Sequence, residues 1–411
     1  MKHLVLLTDS YPNSNGEFFL DDEVNIIAEK FERITVLCAS QKKNCKRSTP
    51  RNVHVVGFPK LDWFQRNFLR FKGLFFLPLW QEFFSLKKSY GLSPSFLFFK
   101  ILLEDYVRSS HVVQILFHYE LTNPEKHILY SYWQDYKALA IARIRKKTGC
   151  SAIARCHRWD VYFYANNPPY LPYRKFLLNE LSVTCSISED GISYMRQLNN
   201  FNNQNKIVLS RLGKINKKNP QLIINNSGKI TICSCSTLIP VKRVDLIIEF
   251  IQALSVYFKI NWYHFGDGDL KEKLFKNASE SLANSEFKFL GIVPNNEILN
   301  FYDEHFVDLF INFSESEGIP VSIMEAQSAG IPVLATNVGG TSEIVNNENG
   351  FLVDKDFEME KVVSIIQNYL TSSNDERQLK RYISHENWRQ NYNAETNYNN
   401  FANLINNVQL A

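Results

Sequence analysis

The chain has 411 residues, a net charge of +4 at pH 7 and seven cysteines, so we expect two domains of roughly 200 residues each and no nucleic-acid partner. An odd number of cysteines without metal-type spacing argues against a disulfide framework and favours the reducing cytosol. No signal peptide precedes the first predicted strand and no uncharged apolar run is long enough to span a bilayer, so we expect a cytoplasmic protein.

The first half predicts alternating β-strands and α-helices, which is typical of a parallel α/β sheet. Residues 4–8 form a buried apolar run, and a loop rich in turn residues follows up to Gly16. Apolar residues then recur at helical spacing over 17–31, and 34–37 is the next strand. Gly16 stands where the backbone can approach a ligand closely.

Residues 61–115 contain many aromatic residues interleaved with lysine and arginine. The aromatic residues include Trp63, Phe64, Phe68, Phe71, Phe75, Phe76, Trp80, Phe83, Phe84, Phe96, Phe98 and Phe99. Such a segment can lie in a membrane interface with its apolar face in lipid. It can equally be a helical insertion that packs on the sheet and keeps its basic residues in water. The pattern does not decide between the two.

A polar group follows the strand predicted over 152–155. His157 and Asp160 stand at the carboxyl end of this strand, where open α/β sheets bind ligands. A lone histidine is more often structural than functional. By itself, this pattern favours a structural role for His157.

The first domain is predicted over 1–213, with the aromatic segment as a helical insertion. Asparagine- and lysine-rich residues at 214–228 predict a linker, and a second α/β domain follows over 229–385. Early in this domain, Lys242 precedes a helix predicted over 246–254. A lysine at such a helix start adds positive charge to an anion site.

The stretch 314–345 reads SESEGIPVSIMEAQSAGIPVLATNVGGTSEIV and predicts a loop, a helix, a strand and a glycine loop in succession. The free N–H groups of the turn at 318–321 and the positive end of the helix dipole favour an anion. The glycines at 339–340 allow a second close approach of backbone to ligand. Glu317 and Glu325 flank the turn and can accept hydrogen bonds from sugar hydroxyls. A ligand with a central diphosphate and a sugar at each end suits both features.

Glu317 to Glu325 resembles the E-x7-E signature of retaining glycosyltransferases, in the form EGxPxxxxEAxxxGxPV, and the whole stretch resembles glycosyltransferase family 4. The resemblance implies an α/β fold of the GT-B class, in which two Rossmann-like, doubly wound domains face each other across a cleft. It implies transfer with retention of anomeric configuration, and no metal or other cofactor. The last segment, 386–411, would be a helix that crosses back to the first domain.

The resemblance also implies the substrates. The donor would be a UDP- or GDP-sugar held by the second domain, and the acceptor a saccharide or lipid-linked saccharide held by the first. The resemblance is to bacterial enzymes that build capsule, exopolysaccharide or lipopolysaccharide. A lipid-linked acceptor would favour peripheral contact with the cytoplasmic face of the inner membrane.

Two further motifs carry the resemblance. His157 opens HRWD, which is similar to the family's H-G-x-D motif at the reaction centre, although Arg158 replaces the usual glycine. Lys242 matches the lysine of the family's G-R-L-x-x-x-K-G segment. Thr237 and Arg243 stand at the arginine and final glycine positions of that segment, and Arg243 could supply the missing charge or point away.

The resemblance assigns roles residue by residue. It implies that Glu317 orients the donor sugar, that Lys242 holds the diphosphate and that Glu325 holds the ribose hydroxyls. The implied catalytic residues are His157, Glu317 and Lys242. The implied acceptor-side residues are Gly16, Glu17 and Asp160. The implied donor-binding residues are Thr237, Lys242, Arg243, Gly266, Gly268, Ile292, Gly318, Ile319, Pro320, Val321 and Glu325.

Three other functions are weighed against transfer. A GT-B enzyme that hydrolyses or epimerises nucleotide sugars would share the donor motif, but the acceptor loop at Gly16 argues against it. A non-catalytic scaffold subunit that binds nucleotide sugars is consistent with Thr237 in place of arginine. A dinucleotide oxidoreductase is disfavoured because no G-x-G-x-x-G follows the first strand.

Overall fold

The computed structural model describes two compact units. The described residues are 2–13, 16–40, 47–197, 206–220 and 228–408. The first unit comprises residues 1–211 and 397–411, and the second comprises 212–396. The segment predicted as a linker, 214–228, begins inside the second unit, and its residues 221–227 lie outside the described part.

The first unit contains a seven-stranded parallel sheet with strand order β3-β2-β1-β4-β5-β6-β7. Its strands are β1 (His3–Thr8), β2 (Arg33–Cys38), β3 (Val53–Gly57), β4 (His127–Ser131), β5 (Ser151–Cys156), β6 (Val183–Ser186) and β7 (Ile207–Leu209). The central strands read as continuous apolar runs because a parallel sheet is buried on both faces. The strand order reverses between β1 and β4, which is where doubly wound sheets bind ligands.

Eight helices among the described residues accompany this sheet, and three of them form the aromatic insertion. They are α1 (Leu20–Ile27), α2 (Trp63–Gly73), α3 (Leu77–Tyr90), α4 (Phe96–His118), α5 (Tyr136–Thr148), α6 (Arg174–Glu180), α7 (Glu189–Gln197) and, at the end of the chain, α15 (Ala394–Asn407). Helix α4 packs on α5, and both α2 and α3 pack on α4. Leu102, Val112 and Leu116 of α4 are fully buried in the main core of this unit. None of the described helices has the length and apolar character needed to cross a membrane.

The second unit contains a six-stranded parallel sheet with strand order β10-β9-β8-β11-β12-β13. Its strands are β8 (Lys229–Cys235), β9 (Lys259–Phe265), β10 (Ser285–Phe289), β11 (Leu309–Asn312), β12 (Val333–Thr336) and β13 (Gly350–Val353). Its helices are α8 (Val244–Leu254), α9 (Lys271–Ser281), α10 (Asn295–Glu304), α11 (Val321–Ser328), α12 (Thr341–Ile344), α13 (Met359–Leu370) and α14 (Asn374–Asn391). Two parallel sheets with helices confirm the predicted α/β class.

The C-terminal segment differs from the single helix predicted over 386–411. The helix is interrupted between α14 and α15. There Asn393 Oδ1 accepts a hydrogen bond from the N–H of Thr396 at 3.2 Å, as a helix-capping asparagine does. From residue 397 onward the chain belongs to the first unit. There Phe401 packs on Tyr130, with ring centroids 5.1 Å apart.

Candidate functional site

The carboxyl edge of the second sheet carries the predicted donor-side residues. Because all six strands are parallel, the loops that follow β8, β9, β10, β11 and β12 leave the sheet at the same edge. These loops and α11 contain Thr237, Lys242, Arg243, Gly266, Gly268, Ile292, Glu317, Gly318, Ile319, Pro320, Val321 and Glu325. The structure therefore brings this set together at one edge of one unit.

Lys242 and Glu317 form an ion pair at this edge. Lys242 ends a 3-10 turn over Pro240–Lys242, and its Nζ lies 2.5 Å from Glu317 Oε1. Glu317 is buried, whereas 22% of the lysine side chain is exposed. The ammonium group can donate to an anionic ligand and the carboxylate can accept from hydroxyl groups. The pair therefore suits a ligand that carries phosphate and sugar.

Helix α11 begins beside this pair. Pro320 precedes its first residue and provides no capping side chain. The amides of a first helical turn have no partner inside the helix, and the helix dipole places partial positive charge there. Such a helix start favours an anion, as the sequence predicted for 318–321.

The loop that joins β11 to α11, residues 313–320, is held in place by neighbouring segments. Thr336 Oγ1 donates a hydrogen bond to the carbonyl oxygen of Ser314 at 2.6 Å. The N–H of Gly340 donates to the carbonyl oxygen of Gly318 at 2.9 Å. The loop is thus fixed by the protein itself, which keeps the charges of a binding site in position before a ligand arrives.

Gly339 approaches this loop, whereas the sequence led us to expect that it approaches a ligand. Its φ is +52°, and a Cβ atom at this position would lie 2.0 Å from the carbonyl oxygen of Glu317. No side chain fits there. Glycine is therefore required so that the turn at 339–340 can pack against Glu317.

Arg243 directs two of its N–H groups to backbone carbonyl groups. Its Nε donates to the carbonyl oxygen of Phe313 and its Nη2 to that of Lys355, each at 2.8 Å. The backbone of Arg243 has a left-handed φ of +46° at the start of α8. Its guanidinium group therefore stabilises the β11–α11 loop.

Gly266 and Gly268 pack against the loop that contains Thr237. A Cβ atom at Gly266 would lie 1.9 Å from the carbonyl oxygen of Ser236, and one at Gly268 would lie 2.7 Å from that of Leu238. These glycines therefore let two loops close on each other. Thr237 itself is exposed.

The loop after β10 contacts the loop that contains Gly266. The N–H of Gly266 donates to the carbonyl oxygen of Gly291 at 2.8 Å. Ile292 follows and is 68% exposed. The exposed side chain of Ile292 could pack on the flat face of a nucleotide base. The backbone groups next to it could form hydrogen bonds with the polar atoms of that base.

Glu325 is buried on α11 and faces Lys214, which the sequence did not indicate as a site residue. Lys214 Nζ lies 3.7 Å from Glu325 Oε1, and both residues are buried. The backbone of Lys214 is held as well, because its N–H donates to the carbonyl oxygen of Tyr392 at 2.9 Å. Its position in an Asn- and Lys-rich stretch predicted only a linker. The only sequence signal was a lysine directly after Gly213.

In the first unit, Asp160 connects the carboxyl ends of β4 and β5. Its Oδ1 accepts from the N–H of His157 at 2.6 Å, and its Oδ2 accepts from the N–H of Gln134 at 2.8 Å. Burial alone would raise the pKa of Asp160, but the imidazole of His157, the N–H of Gln134 and Arg174 lower it overall. Asp160 is therefore a buried carboxylate that fixes the backbone of His157.

The imidazole of His157 lies between aromatic rings. Its centroid is 4.4 Å from that of Trp133 and 4.6 Å from that of Tyr132. Among the described residues, neither ring nitrogen has a hydrogen-bond partner, although the residue is only 7% exposed. Asp160 Oδ2 lies 3.9 Å from Nδ1, beyond hydrogen-bonding distance. The imidazole is therefore a buried polar ring whose nitrogens have no protein partner in the described part of the chain.

Glu17 holds its own loop and is not placed to hold an acceptor. Its carboxylate accepts hydrogen bonds from the N–H groups of Asp9, Ser10 and Tyr11 at 3.1, 2.7 and 2.7 Å. It also accepts from Trp133 Nε1 at 2.6 Å. Glu17 is buried and has a φ of +54°. Because its oxygens are occupied, Glu17 acts by positioning the β1–α1 loop and Trp133.

Gly16 lies in the same loop, next to residues 14–15, which are outside the described part. A Cβ atom at Gly16 would lie 2.5 Å from Ser10 Oγ. Arg47 donates to the carbonyl oxygens of Gly16 and Glu17 and forms a 2.9 Å ion pair with Asp21. Gly16 therefore permits a close approach of the backbone to Ser10, and Arg47 connects this part of the loop to Asp21 of α1.

The described residues contain no cluster of three or more His, Cys, Asp or Glu side chains that could hold a metal ion. The sequence contains two Asp-x-Asp triplets, at 267–269 and 354–356, whose turn-like surroundings favour turns over metal sites, and neither belongs to such a cluster. In the first of them, Asp267 pairs with Lys271 at 2.7 Å.

The fold places the chain in a known structural class. The crystal structure of Anabaena Alr3699/HepE in complex with UDP has a TM-score of 0.65 to this chain and 15% sequence identity, over 99% of this chain and 100% of that one. The neighbours of this kind are GT-B glycosyltransferases. The chain therefore has the GT-B fold, as the resemblance implied.

Sequence comparison is more specific for the second unit. Residues 215–386 match the family described as Glycosyl transferases group 1. O-antigen biosynthesis glycosyltransferase WbnH of Escherichia coli is 35% identical over 133 residues, which are 31% of this chain and 36% of WbnH. The UDP-Gal:alpha-D-GlcNAc-diphosphoundecaprenol alpha-1,3-galactosyltransferase of Escherichia coli is 36% identical over 90 residues, or 22% of each chain. The matched segments span 36% or less of these two relatives.

Proposed function

We propose that this protein is a glycosyltransferase that moves a sugar from a nucleoside diphosphate sugar to a saccharide or lipid-linked saccharide during synthesis of a bacterial surface polysaccharide. The observation that carries the proposal is the Lys242–Glu317 pair beside the start of α11. It lies within the segment that matches glycosyltransferases of group 1.

The names of the relatives support the substrate classes. WbnH takes part in O-antigen biosynthesis, and the galactosyltransferase is named for UDP-Gal and an acceptor on diphosphoundecaprenol. HepE was crystallised with UDP. A UDP-sugar donor is therefore favoured over a GDP-sugar donor, and a lipid-linked acceptor is the natural choice for the first test.

The transfer needs stabilisation of a leaving diphosphate. The bond between the anomeric carbon and the diphosphate oxygen breaks, and the bond from that carbon to the acceptor hydroxyl oxygen forms. Lys242 and the amides at the start of α11 would stabilise the negative charge that develops on the diphosphate. The diphosphate would take the proton of the acceptor hydroxyl. This scheme requires no metal and no separate general base.

The carboxylates would position the donor. Glu317 would accept hydrogen bonds from hydroxyls of the donor sugar, and Glu325 from those of the ribose. The roles inferred for His157 at the reacting face of the sugar, and for Gly16 and Asp160 on the acceptor side, stay predictions. We further propose that the product retains the donor's anomeric configuration, which the anomeric proton coupling of the product in NMR would test.

A second candidate is a scaffold subunit that binds nucleotide sugars without transferring them. One observation favours it: Thr237 stands in place of the expected arginine, and Arg243 is committed to two carbonyl groups. On this alternative the ion pair would bind the ligand but too little positive charge would face the diphosphate for transfer.

The proposal is tested by nucleoside diphosphate release from UDP-, GDP- and ADP-sugars, with and without a crude lipid acceptor fraction. Wild type is compared with Glu317→Ala and with Glu315→Ala, whose exposed carboxylate lies in the same loop. A transferase would be supported if the acceptor stimulates release, and if Glu317→Ala abolishes release while Glu315→Ala does not. Release that is independent of acceptor would instead indicate a hydrolase or epimerase. Nucleotide binding without release would indicate the scaffold subunit.

A further inference from the structure

Helix α2 presents an aromatic face to solvent. Phe64, Phe68 and Phe71 are spaced i, i+4 and i+7, so they lie on one side of the helix, and they are 78%, 55% and 59% exposed. Phe75 follows the helix, is 75% exposed and packs edge-on against Phe71, with centroids 5.3 Å apart. An apolar stripe at helical spacing normally faces a core. Here it faces outward.

The opposite side of α2 holds the helix in this orientation. Leu69 and Gly73 are buried against α4. Arg66 and Arg70 form ion pairs with Glu104 of α4 at 2.6 and 2.5 Å. The aromatic face therefore cannot turn inward without breaking these contacts.

The exposed apolar surface continues onto α3 and the start of α4. Leu77 and Phe84 on α3 are 64% and 71% exposed, and Phe96 at the start of α4 is 80% exposed. Trp80 connects the three helices. Its Nε1 donates to the carbonyl oxygen of Leu74 at 2.7 Å, and its ring packs on Phe84 and Phe99 at 5.9 and 5.6 Å.

The same segment is strongly basic. From Trp63 to Lys100 the chain has six lysine or arginine residues and one acidic residue. Arg66 and Arg70 are paired with Glu104, so the positive charge that this segment offers to a partner is that of its four lysines. The acidic residue, Glu82, is buried and accepts a hydrogen bond from Tyr170. The four lysines, by contrast, are exposed: Lys72, Lys87, Lys88 and Lys100.

We propose that this surface, formed by α2, α3 and the start of α4, docks the protein on an anionic phospholipid membrane. Exposed aromatic side chains enter the boundary between headgroups and acyl chains, and lysines pair with lipid phosphates while their methylene stems cover apolar surface. A protein partner fits less well, because protein–protein interfaces are depleted in lysine. The proposal does not depend on which reaction the second unit supports.

The test is flotation of the full-length protein with vesicles of phosphatidylcholine alone and with 30% phosphatidylglycerol. We expect binding to the anionic vesicles that weakens with added salt. Phe68→Ser/Phe71→Ser should reduce this binding about tenfold or more. Each of Lys72→Ala and Lys88→Ala should reduce it about fivefold.

The matched control is Tyr257→Ser/Phe275→Ser, which removes two aromatic side chains of the second unit that are 55% and 53% exposed. We expect this variant to bind like wild type. Absence of vesicle binding, or equal loss in both double variants, would overturn the proposal. Self-association in sedimentation velocity that Phe68→Ser/Phe71→Ser abolishes, without vesicle binding, would also overturn it and assign the surface to a second copy of the chain.

Discussion

Lys214 and Glu325 form a buried ion pair, with Nζ and Oε1 3.7 Å apart. Lys214 stands where the chain has just entered the second unit, and its backbone pairs with Asn393 shortly before the chain leaves that unit. The carboxylate of Glu325, which we propose to hold the ribose, therefore pairs with a residue near the point where the chain enters the second unit. Lys214 places a positive charge beside this carboxylate.

Lys214→Met should weaken UDP binding through the ribose. The variant removes the ammonium group beside the buried carboxylate of Glu325, so we expect an affinity loss of about tenfold. With 2′,3′-dideoxy-UDP, which lacks the hydroxyls, wild type and variant should bind alike in titration calorimetry. Lys218→Met is the control, since Lys218 is half exposed and pairs with Asp303 at the surface. An equal loss with both nucleotides would show that Lys214 does not act through the ribose.

Gly339→Ala should disrupt the β11–α11 loop. The new Cβ atom would lie 2.0 Å from the carbonyl oxygen of Glu317, and the residue has a positive φ. Gly91→Ala is the matched control, because Gly91 also has a positive φ but nothing lies within 4 Å of its Cβ position. We expect Gly91→Ala to lower the free energy of unfolding by about 1 kcal/mol, and Gly339→Ala to lower it by more and to abolish UDP binding. Equal effects would contradict the close approach at Gly339.

Glu17→Gln should destabilise the β1–α1 loop. The glutamine amide would place N–H groups against the three backbone N–H donors and Trp133 that now bind the carboxylate. We expect the free energy of unfolding to fall by about 3 kcal/mol. Glu29→Gln, at an exposed position in the 3-10 turn that follows α1, should have almost no effect in the same urea titration. A neutral Glu17→Gln would mean that the carboxylate is free for an acceptor.

Because of Asp105 on α4, we expect the free energy of unfolding to fall as pH rises. Burial raises its pKa to about 7, although Arg108 opposes the shift. Between about pH 4 and pH 7 the folded chain then binds a proton at Asp105 that the unfolded chain has lost, so the free energy of unfolding decreases as pH rises. Asp105→Asn removes this dependence. Its stability relative to wild type should increase by about 2 kcal/mol from pH 5 to pH 7, measured by urea unfolding.

Glu104, the neighbouring residue, provides a contrast of opposite sign. Burial would raise its pKa, but Arg66 and Arg70 lower it overall. Its ionised form therefore stabilises the fold at neutral pH, and this contribution is lost as pH falls through the lowered pKa. Glu104→Gln should be less stable than wild type at pH 7, and the difference should shrink in acid. A difference that grows in acid would contradict the ion pairs to α2.

The sequence predicted that the residues proposed for the donor site lie together, because the information for that placement is local. The strand, loop and helix around Glu317 follow each other within one stretch, and parallel strands necessarily release their loops at one edge. The direction of the Arg243 side chain was not predictable in this way. It depends on carbonyl groups of Phe313 and Lys355, which are distant in sequence.

Contacts over long sequence separation explain the other differences. Lys214 and Glu325 are more than a hundred residues apart in sequence. Nothing in the lysine-rich stretch around Lys214 therefore indicated this contact. The resemblance implied an acceptor-side role for Glu17, but only the folded loop shows that three backbone N–H groups converge on its carboxylate. The aromatic segment was predicted to be helical, whereas the choice of which face is exposed came from the anchoring of α2 on α4.

The most direct test of the donor site is calorimetric titration of UDP and UMP into wild type and Lys242→Met. Lys355→Met, which removes an exposed lysine paired with Glu315, is the control. If Lys242 holds the diphosphate, wild type and control should bind UDP about tenfold or more tighter than UMP, and Lys242→Met should lose that preference. Undiminished preference for UDP in Lys242→Met would contradict the assignment of this edge as the diphosphate site.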